Sequence, residues 1–385
     1  MANEVAGDDL SERIAQQLAA YDGFGLRRTG SAGDLACAHW QAAQVVAAGA
    51  RAQTVVVPLD MMQIEQASFH SSDLRIDGLP LFDAPDTPAG GVTGKLAPMD
   101  AQGDIGFLEC EPGAASIKGQ ALEALRQKTS FRALVVATRV IGESLAPINA
   151  QHYTAPFGPP ILQVAGAHAA ALAELASRGA QATVLTRARR SPSASLNIAA
   201  QVDVSGEGGG SLVLLTPRTS WWESTAERAG GVIAWIEGLR YAAQRRCDVR
   251  AFSSCGHELG HLGLHRMLAD NASLLSSAKL WLHLGANLGC ASDDRVTIRA
   301  TDPARAEWFA TRLAAHGYPR ERLSIESIAT AMGEARDLME HGAQVLSIIG
   351  RNAHFHAPSD RWPGNVSVQR LASIVRAVSD FIESP

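Results

Sequence analysis

Apolar and polar residues follow two patterns along this chain, and the patterns predict its secondary structure. Short apolar runs bounded by turn residues predict strands at 54–59, 195–204, 211–216, 249–253, 279–284, 295–300 and 344–349. Between them, apolar residues spaced three and four apart predict helices at 229–244, 261–269, 303–316 and 366–383. Strands that alternate with helices are typical of an α/β fold. We therefore expect a mixed, mostly parallel sheet flanked by helices.

Two local signals refine this prediction. The helix at 303–316 has Asp302 as N-cap, Pro303 at its first position and Gly317 beyond its end. The strands at 195–204 and 211–216 surround a glycine-rich turn at 205–210, which predicts that they pair with each other.

The middle of the chain differs from the rest in its composition and in the elements that it predicts. Residues 61–189 combine turn clusters, short strands and alanine-rich helices, and they carry few groups of chemically active side chains. We interpret this segment as a smaller inserted α/β domain, within a main domain formed by residues 1–60 and 190–385.

Composition narrows the classes of function. With 34 Lys and Arg against 39 Asp and Glu, the formal net charge is −5, so nucleic acid is not an expected partner. No apolar run approaches the ~20 residues of a membrane-spanning helix, and no signal-peptide pattern opens the chain. The five cysteines include no C-x-x-C pair. These features predict a cytoplasmic protein without a membrane partner, and they carry no signal for an oligomeric state.

One motif predicts metal chemistry directly. The residues from His257 to His261 read H-E-x-x-H, which on a helix places two histidines on one zinc ion, with Glu258 as general base. The preceding residues predict a strand, however, and the extended forms of the motif need other side chains at Leu264 and Met267. A helical zincin site is therefore an alternative, and we expect His261 to be a bystander.

Polar residues follow four of the predicted strands. Because the carboxyl ends of parallel strands meet at one edge of a sheet, we expect these residues to form one site. In chain order they are Arg218, Trp221, Trp222, Glu227, His257, Glu258, Asn287, His354 and His356.

The order of these residues resembles the co-catalytic zinc aminopeptidase family, which also includes carboxypeptidase Q-like enzymes and animal glutaminyl cyclases. The resemblance extends from the loop 28–31 to the closing loop 350–360, with 61–189 similar to a protease-associated insert. It implies a peptidase fold whose relatives hold two zinc ions at the ends of these strands.

The residues that match the metal ligands of this family depart from its pattern. The family's His-x-Asp matches Arg218-Thr-Ser220, and a further aspartate matches Gly285. A guanidinium has no lone pair to offer a metal. The resemblance therefore implies that one metal site is lost.

A second set of matching positions could still bind a metal. The resemblance assigns Glu227, Glu258 and His356 to a single zinc ion, if any metal is bound. His257 matches the family's general-base glutamate, and a histidine can carry the proton instead. Arg218 is expected to clamp a carboxylate or to stabilise developing negative charge.

We therefore predict a single-metal hydrolase that cleaves an amide or related bond in a small molecule or short peptide. Trp221, Trp222, Asn287 and His354 are the predicted substrate-binding residues. Two further alternatives stay open. One is a lyase-like or isomerase-like enzyme that uses His257 and Arg218 without metal, and the other is a binding protein without catalysis.

Overall fold

The computed structural model describes residues 2–116, 121–203 and 212–385. Within these ranges the strands are β1 Arg51–Ser71, β2 Arg75–Asp77, β3 Leu79–Pro80, β4 Val92–Pro98, β5 Ile105–Cys110, β6 Ala133–Thr138, β7 Ile161–Ala165, β8 Gln181–Val202, β9 Leu212–Pro217, β10 Val249–Ser254, β11 Leu280–Leu284, β12 Val296–Ala300, β13 Leu323–Ile325 and β14 Val345–Gly350. The α-helices are α1 Ala2–Gly23, α2 Ala32–Ala47, α3 Pro112–Ala115, α4 Ala121–Lys128, α5 Ala169–Ser177, α6 Thr225–Arg245, α7 Leu262–Asp270, α8 Ala272–Ser277, α9 Pro303–Ala315, α10 Glu334–Glu340 and α11 Val368–Glu383. None of these helices combines the length and apolarity that crossing a lipid bilayer requires.

The main sheet is mixed, as the sequence predicts. Its strand order is β13-β12-β14-β11-β9-β10-β8, and β1 pairs with β8 as well. The four strands β10, β9, β11 and β14 are parallel to one another. Their carboxyl ends therefore meet at one edge, where loops can build a site.

Helices cover both faces of the main sheet. Helices α1, α2, α6, α9 and α11 pack over one apolar core, which contains the fully buried Trp235 and Phe309. Helices α7, α8 and α10 pack over the other face around Trp281. All six residues of β9 are buried, as expected for a strand covered on both faces.

Two long antiparallel strands, β1 and β8, connect the main sheet to a smaller one. They pair from Arg51 opposite Gln201 to Ser71 opposite Ala182. The smaller sheet contains the parallel strands β4, β5, β6 and β7, with β3 antiparallel to β7. An inserted domain at 61–189 stays our interpretation of this region.

Strands β1 and β8 are longer than the predicted strands at 54–59 and 195–204. From Arg187 to Ala194, the residues of β8 are exposed or half-buried, and three of them are arginines. An apolar run marks a strand only where one face is buried in a core, so this part gave no apolar signal.

The predicted pairing of 195–204 with 211–216 is wrong. Strand β10 lies between β8 and β9, antiparallel to the first and parallel to the second. Helix α6 makes the crossover that returns the chain parallel to β9, which a local turn pattern does not reveal. The turn at 205–210 lies outside the described residues.

The helix starts follow local chemistry. The Asp302 side chain accepts a hydrogen bond from Ala304 N at 3.0 Å at the start of α9, which confirms the predicted N-cap. Helix α6 begins at Thr225, four residues before the prediction. Gly230 and Gly231 obscured this start in the sequence, because glycine is unfavourable inside a helix. The structure explains the first of them: a Cβ at Gly230 would lie 1.9 Å from Leu288 O, so only glycine fits there.

Candidate active site

A cavity of about 800 Å³ opens at the carboxyl edge of the main sheet, between the two sheets. On the main-sheet side its lining includes His257, His261, His283 and Asn287. Loops of the smaller sheet line the other side at 111–116, 139–141 and 149–151. The strand edge at which the sequence predicts a site therefore faces a partly open cavity of ligand size.

The H-E-x-x-H segment is not an α-helix. After β10, Gly256 turns the chain at φ +70°, and residues His257–Leu259 form a single 3₁₀ turn. Gly260 and His261 then adopt positive φ values of 75° and 60° before α7 begins. The helical geometry that the zincin alternative needs does not form.

His261 is oriented by a buried carboxylate. Its Nδ1 lies 2.7 Å from Asp337 Oδ2, and the exposed His265 reaches the same oxygen at 3.2 Å. Burial opposes the charge of Asp337, but hydrogen bonds from His261 and His265 lower the pKa of this carboxyl below its usual range. Asp337 is therefore an ionised acceptor that orients the His261 ring, and this ring forms part of the cavity lining.

His257 packs against His261, with 4.7 Å between the ring centroids. Burial lowers the pKa of His257 well below 6.5, and the charges of Arg228 and His261 add to this effect. Its Nδ1 has no hydrogen-bond partner and lies 3.6 Å from Glu334 Oε1. Burial raises the pKa of Glu334, which accepts a hydrogen bond from Ser254 Oγ at 2.6 Å.

The third histidine on this wall is His283. Its Nδ1 lies 2.8 Å from Ser347 Oγ on the neighbouring strand β14, and its buried Nε2 has no hydrogen-bond partner. Burial lowers the pKa of His283 to about 3, so the ring is neutral near pH 7. We call His257, His261 and His283 the histidine wall.

A second group of charged residues is closed to solvent and is not part of the cavity lining. Glu227 and His356 are fully buried, and Arg228 is 1% exposed. Arg228 Nη2 lies 2.7 Å from Glu227 Oε1, and His356 Nε2 lies 3.5 Å from the same oxygen. Burial opposes the charge of Glu227, but Arg228 and His356 together lower its pKa. We call these three residues the arginine cluster.

Glu258 does not share this arrangement. Its Oε1 accepts hydrogen bonds from the backbone N–H and the hydroxyl of Thr29, both at 2.7 Å, and Oε2 accepts from Thr219 Oγ at 2.8 Å. These three donors satisfy a carboxylate that is fully buried. Glu258 therefore anchors the loop before α2 to the end of β10.

The described residues do not fit a zinc ion at the predicted positions. Among them, no group of three or more His, Cys, Asp or Glu side chains is placed to hold a metal. Of the three predicted zinc ligands, Glu227 and His356 lie close together. The carboxylate of Glu258 instead accepts hydrogen bonds from Thr29 and Thr219. The cation beside Glu227 is the guanidinium of Arg228.

Arg218 does not reach the cavity. It is fully buried and pairs with the carboxylate of Asp34, and its Nη1 donates to the backbone oxygen of Asp34 at 2.8 Å. Its other terminal nitrogen donates to Leu196 O at 2.5 Å. Burial opposes its charge, but Asp34 raises the pKa of Arg218 further. This placement gives Arg218 a structural role between α2, β8 and the end of β9.

Of the four predicted substrate-binding residues, one lines the cavity and three do not. Asn287 lines the cavity at φ +64°. Trp221 is buried against Phe82, and its Nε1 donates to Asn149 Oδ1 at 2.9 Å, so it joins the two sheets. Trp222 and His354 are not part of the cavity lining, and His354 Nδ1 lies 2.8 Å from Ser359 Oγ.

Sequence reasoning missed Arg228, Glu334 and Asp337 and took His261 for a bystander. The one signal for His261 is its spacing from His257. Glu334 and Asp337 open a short helix after Gly333, and nothing local connects them to histidines more than 70 residues earlier. Arg228 directly follows a predicted metal ligand, which is an unusual place for a cation.

Comparison with known proteins supports the fold. No family model and no curated protein matches the sequence. A zinc aminopeptidase from Bacillus subtilis is similar in structure, with a TM-score of 0.74 and 16% identity over 96% of this chain and 94% of that chain. An aminopeptidase from Aneurinibacillus sp. strain AM-1 has a TM-score of 0.69 and 14% identity, covering 96% and 92% of the two chains. A glutaminyl cyclase from Porphyromonas gingivalis has a TM-score of 0.53 and 12% identity, with 97% of each chain covered. The resemblance inferred from the sequence is thus confirmed at the level of fold.

Proposed function

We propose that this protein is an enzyme that hydrolyses an amide or related bond in a small molecule or short peptide bound in the cavity. The proposal assigns proton transfer to His261 and Asp337. Its main support is the 2.7 Å contact between His261 Nδ1 and the ionised Asp337, on the wall of a cavity of ligand size.

Asp337 fixes the protonation pattern of the His261 ring. An ionised carboxylate only accepts hydrogen bonds, so the Nδ1 of His261 carries the proton of this contact. When this ring carries one proton, Nε2 is the acceptor that can remove a proton from water. A carboxylate that orients an imidazole in this way also stabilises the imidazolium that forms.

The reaction then balances without a further group. Water adds its oxygen to the substrate carbonyl carbon as His261 Nε2 takes its proton, and the same proton goes to the leaving nitrogen when the C–N bond breaks. His257 is neutral near pH 7 because its pKa is lowered, so it is a weak base. We assign it the donation of an N–H hydrogen bond to the developing oxyanion.

A zinc-dependent hydrolase is the second candidate. It is favoured by the fold shared with solved zinc aminopeptidases and by the buried His356 Nε2, which has no hydrogen-bond partner. In this version Glu227, Glu258 and His356 would bind the ion. The placement of Glu258 and Arg228 favours the first candidate over it.

The test is a screen of dipeptides, blocked amino acids and simple amides, with products detected by mass spectrometry. His261→Asn should lower the best hydrolysis rate by about 10²–10⁴, the usual contribution of general-base catalysis. Asparagine tolerates the positive φ of this residue, so the backbone is kept.

His265→Asn is the matched control, because His265 contacts the same carboxylate oxygen but does not line the cavity. It should lower the rate far less than His261→Asn does, because His265 contacts the carboxylate and is not part of the cavity lining. Equal loss in both variants, or ligand binding without turnover of any compound by the native chain, would contradict the proposal.

A further inference from the structure

The arginine cluster takes no part in the proton transfer proposed above, although its groups are chemically strong. A carboxylate, a guanidinium and an imidazole lie together at the start of α6, out of contact with solvent. We infer that Arg228 is a built-in cation that occupies a latent divalent-metal site formed by Glu227 and His356. Removing this guanidinium should convert the cluster into a zinc site, whether or not the proposed hydrolysis is correct.

The geometry of the contact supports this inference. Arg228 Nη2 is 2.7 Å from Glu227 Oε1, yet neither terminal nitrogen of Arg228 makes an aligned hydrogen bond. The hydrogen bond that holds the Arg228 side chain comes from its Nε, which donates to Thr219 O at 3.0 Å. The guanidinium therefore acts on Glu227 mainly as a positive charge, which a metal ion could replace.

Glu227 and His356, which lie beside Arg228, have buried atoms that could bind a metal ion. Glu227 Oε1 has only the ion contacts of Arg228 and His356, and neither Glu227 Oε2 nor His356 Nε2 makes an aligned hydrogen bond, although both atoms are buried. Such orphaned atoms are rare in folded proteins and indicate a missing or substituted partner. Carboxylate oxygen and imidazole nitrogen are both normal zinc ligands.

The His356 ring is also oriented as a ligand would be. Its Nδ1 donates to Pro147 O at 2.6 Å, because a carbonyl oxygen can only accept. This contact directs Nε2 toward Glu227 Oε1, 3.5 Å away. A hydrogen bond from the second ring nitrogen to a carbonyl is the usual support of a metal-binding histidine.

The test is a titration of Zn²⁺ into the full chain, followed by calorimetry, for the native protein and for Arg228→Ala. The variant should gain one zinc site, with affinity at least about tenfold above any binding by the native chain. The double variant Arg228→Ala/His356→Ala should lose that site. Arg245→Ala, at the exposed end of the same helix, should behave as the native chain.

Two results would overturn the inference. One is a zinc site in the native chain that disappears in His356→Ala, since Arg228 would then not exclude the metal. The other is a folded Arg228→Ala that gains no site. If circular dichroism shows that Arg228→Ala is unfolded, Arg228→Gln keeps the polar volume without the charge and is judged by the same criterion.

Discussion

The histidine wall and the arginine cluster arise from the same sheet edge, but they differ in how their charges are balanced. The arginine cluster is sealed, and Arg228 supplies the positive charge that Glu227 needs. The histidine wall faces the cavity, with lowered pKa values at two of its three rings. The comparison shows two imidazoles with lowered pKa values facing the cavity, whereas the buried carboxylate of the arginine cluster has its charge balanced by a guanidinium of the same chain.

This difference has a physical origin in the neighbours of each group. A buried carboxylate needs a compensating cation, and a side chain that supplies it removes the need for an external ion. A buried imidazole can instead become neutral, which costs little when its ordinary pKa is near 6.5. The field of Arg228 favours this, since its charge lowers the pKa of both His257 and His283.

The largest expected effect follows from breaking the arginine cluster. Arg228→Met leaves Glu227 buried without its cation, and the loss of one partner of such a pair costs about 3–5 kcal/mol of unfolding free energy. Adding Glu227→Gln removes the stranded charge and should recover much of this loss. Urea unfolding of the two variants measures both values.

Arg245→Met is the control on the same helix. The pair of Arg245 with Glu383 is largely exposed, so its loss should leave the unfolding free energy nearly unchanged. Equal costs at Arg228 and Arg245 would mean that the cluster is not the compensated buried group described above.

A smaller effect tests the histidine wall through pH. His283 has its pKa lowered to about 3, whereas an unfolded histidine titrates near 6.5. Between these values the unfolded chain binds more protons, so this residue's contribution to stability is lost as pH falls. The loss is about 1.4 kcal/mol per pH unit for one group.

His283→Gln should remove this contribution and flatten the pH dependence of the unfolding free energy below pH 6.5, leaving that of His257. The exposed His39 is the control, and His39→Gln should leave the dependence unchanged. An unchanged slope in His283→Gln would show that its ring titrates normally in the folded chain.

Most of the fold was predictable because it follows from local patterns. Strand β9 is an apolar run that ends at a turn, and α9 carries a complete cap at Asp302 and Pro303. The position of β10 between β8 and β9 was not predictable in this way, because it depends on the path of α6 across the sheet.

The location of the candidate cavity was more predictable than the contacts of the side chains around it. His257, Asn287 and the edge they occupy follow from the strand ends. The direction of Arg218 depends on Asp34, 184 residues earlier in the chain, and that of Glu258 depends on Thr29. No local pattern encodes such contacts, which is why Arg218 was expected to serve as a substrate clamp.

The central claim is that the histidine wall carries out hydrolysis without a metal in the arginine cluster. Its most direct test is the hydrolysis rate of the chelator-treated chain on its best substrate, before and after Zn²⁺ is restored. We predict an unchanged rate in both states that falls sharply in His261→Asn. A rate that vanishes on chelation, returns with one zinc per chain and is lost in His356→Ala would contradict the account.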